Sequence, residues 1–172
     1  MKKLIIFAAA IVALPLTFSC GPSKAELAEK ARQDSIRVAD SIKQAEEKAA
    51  AEAKAKAEAD SIARDKKVAD FLTDMYNSHK YENHQWLKAH CTQKVISKLQ
   101  RDYDYDDGNG GLATWDFRSD AQDGPTNAHN ITEVKPVGEG WYQYSFVDMG
   151  VNGSHKVLII DDGDSFKIDG LK

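Results

Sequence analysis

The sequence predicts an α+β protein: helices packed on a curved four-stranded antiparallel sheet, preceded by a long single helix and a signal peptide. Three observations carry this. Residues 24–67 contain no Gly, Pro or aromatic residue and are dominated by Ala, Glu, Lys and Arg, all strong helix formers. From Val68 aromatics and Gly appear, and apolar residues recur at helical spacing. From Asn130 the period becomes two, with Gly-containing turns between the runs.

In chain order, Met1-Lys2-Lys3 and the run from Leu4 to Phe18 form a short positive region and an apolar core of secretory-signal length. A spanning helix needs about 20 apolar residues. This run is shorter and is broken by Pro15, and the small Ser19 precedes Cys20. Leu14 to Gly21 resembles a bacterial lipoprotein signal, with Thr17 where Leu is commoner. The resemblance implies cleavage after residue 19 and lipidation of Cys20, with a thioether-linked diacylglycerol and an amide-linked, palmitate-type chain. Ordinary secretion and an uncleaved anchor are the alternatives. Each buried methylene contributes roughly 0.8 kcal/mol, so two or three chains hold where one binds reversibly. By the same resemblance, Gly21 stands where an Asp would mark inner-membrane retention, and the acidic cluster that implies surface export is absent. The expected location is therefore the outer membrane, facing the periplasm, with surface exposure as an alternative.

Residues 20–67 are expected to form the lipidated Cys and a charged, Ala-rich helical stalk. Ser23 and Glu26 have capping-box spacing. Glu26–Lys30, Glu52–Lys56 and Asp60–Arg64 are acid-before-base i,i+4 pairs. At 1.5 Å per residue, residues 24–67, if fully helical, would extend roughly 66 Å. A seam through Ala28, Ala31, Ser35, Val38, Ile42, Ala45 and Ala49 is spoiled by Glu52 and Lys56, so a solitary, partly fraying helix is preferred to a weak coiled-coil oligomer through Val38 and Ile42 or to disorder. Asp-Ser-Ile recurs at Asp34, Asp40 and Asp60 out of register, as low-complexity drift.

Residues 68–172 are expected to fold as one small domain. Val68, Leu72, Met75 and Tyr76 make a helical face that continues from the stalk and ends near His79. Glu82 to His90 reads as a short helix or turn. Thr92 is placed to cap a third helix carrying Val95, Ile96 and Leu99. Asp102 to Gly111 reads as a loop. Residues 112–129 are irregular, with Trp115 and Phe117 as core anchors. Strands follow at Ile131–Val137, Trp141–Met149, Ser154–Ile160 and Ser165–Leu171, with Tyr142, Tyr144 and Phe146 on one face.

This order resembles the nuclear-transport-factor-2-like, or cystatin-like, α+β cone, and within it an uncharacterised domain of bacterial envelope lipoproteins. The resemblance rests on several stretches. They are Phe71-Leu72, Leu87 through Leu99, Asp116 with Ala121-Gln122-Asp123, His155-Lys156-Val157 and Phe166-Lys167-Ile168-Asp169. Phe166 stands where that family more often has Trp, and residues 108–111 look inserted. The resemblance implies a cone enclosing a cavity, with relatives that range from small-molecule enzymes to binding modules. It supplies no catalytic set.

Charge narrows the function classes. Residues 68–172 hold 10 Lys/Arg against 17 Asp/Glu, a balance of −7, which disfavours nucleic acid and anionic lipid. With Cys20 lipidated, Cys91 has no disulfide partner and reads as a small buried hydrophobe. Asp102, Asp104, Asp106 and Asp107, with Asn109, offer the oxygens calcium prefers. The EF-hand positions fail, so a solvated acidic loop is the preferred reading and no metal or other cofactor is expected. His79, His84, His90, His129 and His155 show no zinc spacing. His129 with Asp116 or Asp123 is the one acid/base pair that the cone could assemble. Trp86, Trp115, Trp141, Tyr142, Tyr144 and His129 are the candidate ligand-lining residues, against the alternative that they fill a core. The expectation is a non-enzymatic, membrane-anchored lipoprotein presenting its domain to an unknown envelope protein, peptide or small ligand. A cone-fold enzyme and a spacer oligomerising through the stalk are the alternatives.

Overall fold

The structure, a computed structural model, describes residues 23–106, 110–119 and 124–172. The signal segment and Cys20 lie outside the described residues. The chain divides into two compact units, residues 1–53 and 54–172.

The described part of the first unit belongs to helix α1 (Lys24–Asn77), and every residue from 24 to 53 is exposed. The capping box forms: the Ser23 amide donates to Glu26 Oε2 at 2.9 Å and the Glu26 amide to Ser23 Oγ at 3.4 Å. Lys48 and Glu52 make an exposed i,i+4 pair at 4.0 Å. Val38 and Ile42 stand 59% and 55% exposed, so the seam buries nothing within this unit.

The second unit begins with the last turns of α1, which bury Val68, Leu72, Met75 and Tyr76 at 3–4 residue spacing. The helix stops at Asn77, and His79 reverses the chain with φ 53°. A 3-10 turn at Lys80–Glu82 leads to α2 (His84–His90). Asn83 Oδ1 caps α2 by accepting from the amides of Gln85 and Trp86. Helix α3 runs Gln93–Asp106, which corrects the expected loop from Asp102. An i,i+4 bond from Lys98 Nζ to Asp102 (2.6 Å) and the packing of Tyr103 on Trp115 support these extra turns. Thr92 precedes α3, but its hydroxyl donates to Asp169 Oδ1 at 2.8 Å instead of capping the helix. Residues 114–117 form one 3-10 turn that buries Phe117.

Strands β1 (His129–Gly138), β2 (Trp141–Asp148), β3 (Val151–Asp162) and β4 (Ser165–Leu171) form an antiparallel meander in sequence order. Register shifts at Ile131/Glu133, Pro136/Gly138 and Leu158/Ile159 add the twist that curves such a sheet. Along β2 burial alternates strictly: Tyr142, Tyr144, Phe146 and Asp148 are buried, while Trp141, Gln143, Ser145 and Val147 are half-buried. The first set defines an inner face packed on α1, α3 and Phe117; the second defines the outer face. Glycine sets the fit on both. A Cβ on Gly153 would fall 2.5 Å from the Phe146 ring, and one on Gly170 would fall 2.9 Å from the Trp141 indole. The edge of β1 carries Lys135 and the non-donating Pro136, which discourages pairing with another strand. The edge of β4 is partly covered, since the Thr92 amide donates to the Ile168 carbonyl at 2.9 Å.

Candidate functional site

The densest polar centre lies where β1, β2 and the end of α1 meet. Asp148 closes β2 on the inner face at 1% exposure. A buried carboxylate needs donors, and among the described residues Arg118, Ser119 and His129 supply them. Arg118 gives Nε at 2.9 Å and Nη2 at 3.3 Å, Ser119 gives its amide at 3.2 Å and its hydroxyl at 2.8 Å, and His129 gives Nδ1 at 3.2 Å. Burial alone would raise the Asp148 pKa. The bonds from Ser119, His129 and Arg118 outweigh it and hold the carboxyl below its usual range.

His129 faces Asp148 as a cross-strand pair and is 12% exposed at its side chain. Its Nε2 reaches the Tyr76 carbonyl at 3.0 Å. Both neighbours are acceptors, so both contacts are hydrogen bonds together only when the ring carries two protons. The imidazole is also sandwiched between the rings of Tyr76 and His79, at centroid distances of 4.2 and 4.1 Å. Next to it the Asn77 Oδ1 accepts from the Ile131 amide at 2.8 Å. The centre therefore fastens the end of α1 to β1, and it fastens residues 118–119 to β2. Tyr144 Oη donating to the Phe117 carbonyl, and His155 Nε2 donating to that of Arg118, both at 2.9 Å, extend the same strap.

A second node ties α1 to β2 and β3. Arg64, expected beside Asp60, instead donates from Nε to Asp161 Oδ1 at 3.0 Å and from Nη1 to Tyr142 Oη at 2.8 Å. Tyr142 Oη in turn donates to Asp65 at 2.5 Å. Burial, reinforced by Asp65, pushes the Tyr142 phenol up to about 12, so it stays protonated.

The six proposed ligand-lining residues do not converge. Tyr144 is fully buried, and Tyr142 is engaged by Arg64 and Asp65. Trp141 lies on the opposite face, with Lys172 Nζ 4.2 Å from its ring centroid. Trp86 stacks on His90 at 4.2 Å and on Phe71 at 5.7 Å, and Trp115 stacks on Tyr103. His129 does meet an aspartate, but the partner is Asp148. Asp116 is bonded to Lys98, which corrects its pairing with His129, and Asp123 lies outside the described residues. Asp102 is also held by Lys98, and Asp104 Oδ1 accepts from the Gly110 amide at 3.2 Å. The side chain of Asp106 and all of Asp107 and Asn109 lie outside the described residues, and no metal-binding group occurs among the described ones. The Cys91 thiol is pushed up to about 12 by burial, too high for a nucleophile at neutral pH.

Sequence reasoning missed Asp148, Arg118, Ser119 and Arg64. One signal was present: with Tyr142, Tyr144 and Phe146 facing inward, the period of two also turns Asp148 inward. Two open clefts of this unit lie elsewhere. One runs along Lys88, Thr92, Gln93 and Lys167, the other along Asp60, Arg64 and Asp164, and neither is lined by His129 or Asp148.

No protein-family model and no curated protein matches the chain. Among solved structures it is similar to a protein of unknown function from Bacteroides thetaiotaomicron VPI-5482. The identity is 16% and the TM-score 0.47, covering 66% of this chain and 95% of that one.

Proposed function

We propose that the protein is a membrane-anchored envelope lipoprotein whose cone-like α+β domain serves as a non-catalytic binding module. The observation that carries the non-catalytic part is the commitment of the His129–Asp148 pair. Both imidazole nitrogens and both carboxylate oxygens are engaged in bonds that join chain segments. An acid/base pair needs one nitrogen open to substrate. The inner aromatic residues are likewise consumed by the core, which leaves the surface as the place for recognition.

The anchor part rests on the stretch Leu14 to Gly21 and its resemblance to a lipoprotein signal. Cys20→Ala is expected to move the protein from the membrane to the soluble fraction, with unchanged thermal unfolding of the domain. Retention in the membrane fraction would contradict the anchor. Cross-linking of the tethered protein in the envelope, followed by purification, tests the binding role, and recovery of nothing beyond lipid would count against it. The exposed Val38 and Ile42 favour a second reading, a spacer that self-associates through α1. Sedimentation of the lipid-free chain as a monomer would end that reading.

A further inference from the structure

The tripeptide Asp-Ser-Ile occurs three times along α1, at residues 34–36, 40–42 and 60–62. Low-complexity drift does not account for it. Residues 24–67 contain three Ser and three Ile, and all six fall inside these triplets, as do three of the four Asp. Drift in a segment built of Ala, Glu and Lys would scatter such residues. Here Ser and Ile occur only together, each pair directly behind an Asp.

The fold does not ask for the triplet. Asp, Ser and Ile are all poorer helix formers than the residues around them, so each copy sets three weak formers side by side in mid-helix. Nor do the triplets pack. Ile36, Ile42 and Ile62 stand 50%, 55% and 65% exposed. Ile36 and Ile42 are six residues apart, a rotation of about 240° at about 100° per residue, so they share no face. Asp34, Asp40 and Asp60 make no ion pair among the described residues. A repeated choice that weakens the helix and buries nothing is a local conflict of the kind that marks function.

What each triplet offers is a hydroxyl. Ser35, Ser41 and Ser61 carry the only hydroxyl groups in residues 24–67, and all three side chains are exposed. Ser35 Oγ donates to the Ala31 carbonyl at 2.8 Å, and Ser41 and Ser61 make no hydrogen bond among the described residues. An acid before the hydroxyl and a branched apolar residue after it give an enzyme a charge and a shape to read. Residues 24–53 pack on nothing within their unit. A helix without tertiary packing opens at little cost, so Ser35 and Ser41 are open to an enzyme that takes its acceptor extended.

We propose that Ser35, Ser41 and Ser61 are acceptors of O-linked glycans, added outside the cytoplasm. This rests on the exported-lipoprotein reading and adds a modification to its stalk. The serine oxygen attacks the anomeric carbon of a sugar carried on a lipid diphosphate. The new C–O bond replaces the bond from that carbon to the diphosphate, which leaves with the electron pair, and a base of the transferring enzyme takes the hydroxyl proton. The compartment selects the donor, because phosphorylation draws on a nucleoside triphosphate that an exported chain no longer meets. The Asp before each Ser also opposes a phosphate, which would set roughly two negative charges beside a carboxylate. An acyl chain at these exposed positions would leave its methylenes in water. A sugar stays hydrated there and asks nothing of the helix surface.

The test is peptide mass spectrometry of the full chain, purified in detergent from the cells that make it, with membrane and soluble fractions kept apart. Cleavage after Lys and Arg puts the three serines on separate peptides, 33–37, 38–43 and 57–64. Each peptide is expected to carry a sugar mass that alkaline β-elimination removes and phosphatase does not. Asp34→Ala, Asp40→Ala and Asp60→Ala should each abolish the added mass on their own peptide alone, although its Ser remains. A chain made without residues 1–19 should carry no added mass. Unmodified peptides in both fractions, an added mass that phosphatase removes, full modification of the Asp variants, or full modification of the chain without residues 1–19 would overturn the proposal. The fraction that holds the chain decides the anchor reading separately.

Discussion

The two sides of β2 use eight consecutive residues in opposite ways. Inward, Tyr142, Tyr144, Phe146 and Asp148 are at most 2% exposed, and every polar atom among them is bonded to another part of the chain. Outward, Trp141, Gln143, Ser145 and Val147 keep partial access to solvent, with Lys172 Nζ over the Trp141 ring and Lys135 paired to Glu133. A hydrogen-bonding group that is spent on the fold is not available to a ligand. The inner side commits its histidine and aspartate to bonds that join chain segments. The outer side looks bland in sequence and keeps its side chains half-exposed.

The largest effect that could break this contrast comes from Asp148. Asp148→Ala removes the acceptor for Arg118, Ser119 and His129 together, so the loss of stability should be about 3–5 kcal/mol, read by chemical denaturation. A loss under 1 kcal/mol would mean that the centre is not a fastening. An acid titration should show a smaller effect of the same origin. The Asp148 carboxyl is held below its usual range, so its contribution is present above the ordinary carboxylate pKa of about 3.9 and is lost as pH falls below that value. Wild-type stability should therefore fall more steeply on acidification than that of Asp148→Asn. Parallel curves would remove the carboxylate from the account.

Much of the fold was legible because periodicity is a local signal. The four strands and the inward set Tyr142, Tyr144 and Phe146 follow from alternation, and Val68, Leu72, Met75 and Tyr76 follow from helical spacing. The site was less legible because its bonds are long-range. Arg118 lies in a stretch without periodicity, 30 residues from Asp148. Asp116 turned to Lys98, 18 residues before it, and no local pattern distinguishes that ion pair from a pairing with His129. The extension of α3 through Asp106 was hidden by its Asp-rich composition, which reads as a turn until Tyr103 finds Trp115. The lysines that share the outer face were invisible as a group for a different reason. Lys135 and Lys156 both pair with Gln143, and Lys172 bonds Lys156, only through the register of the strands and the chain segment after β4.

The central claim is that the inner face holds the fold and the outer face is free for recognition. Denaturant unfolding of two variants side by side tests it most directly: Asp148→Ala, and the double variant Lys156→Gln with Lys172→Gln. The account predicts a loss of several kcal/mol for the first. It predicts no loss, or a gain of a few tenths of a kcal/mol from relieved repulsion, for the second. A lysine double variant destabilised as much as Asp148→Ala would contradict it.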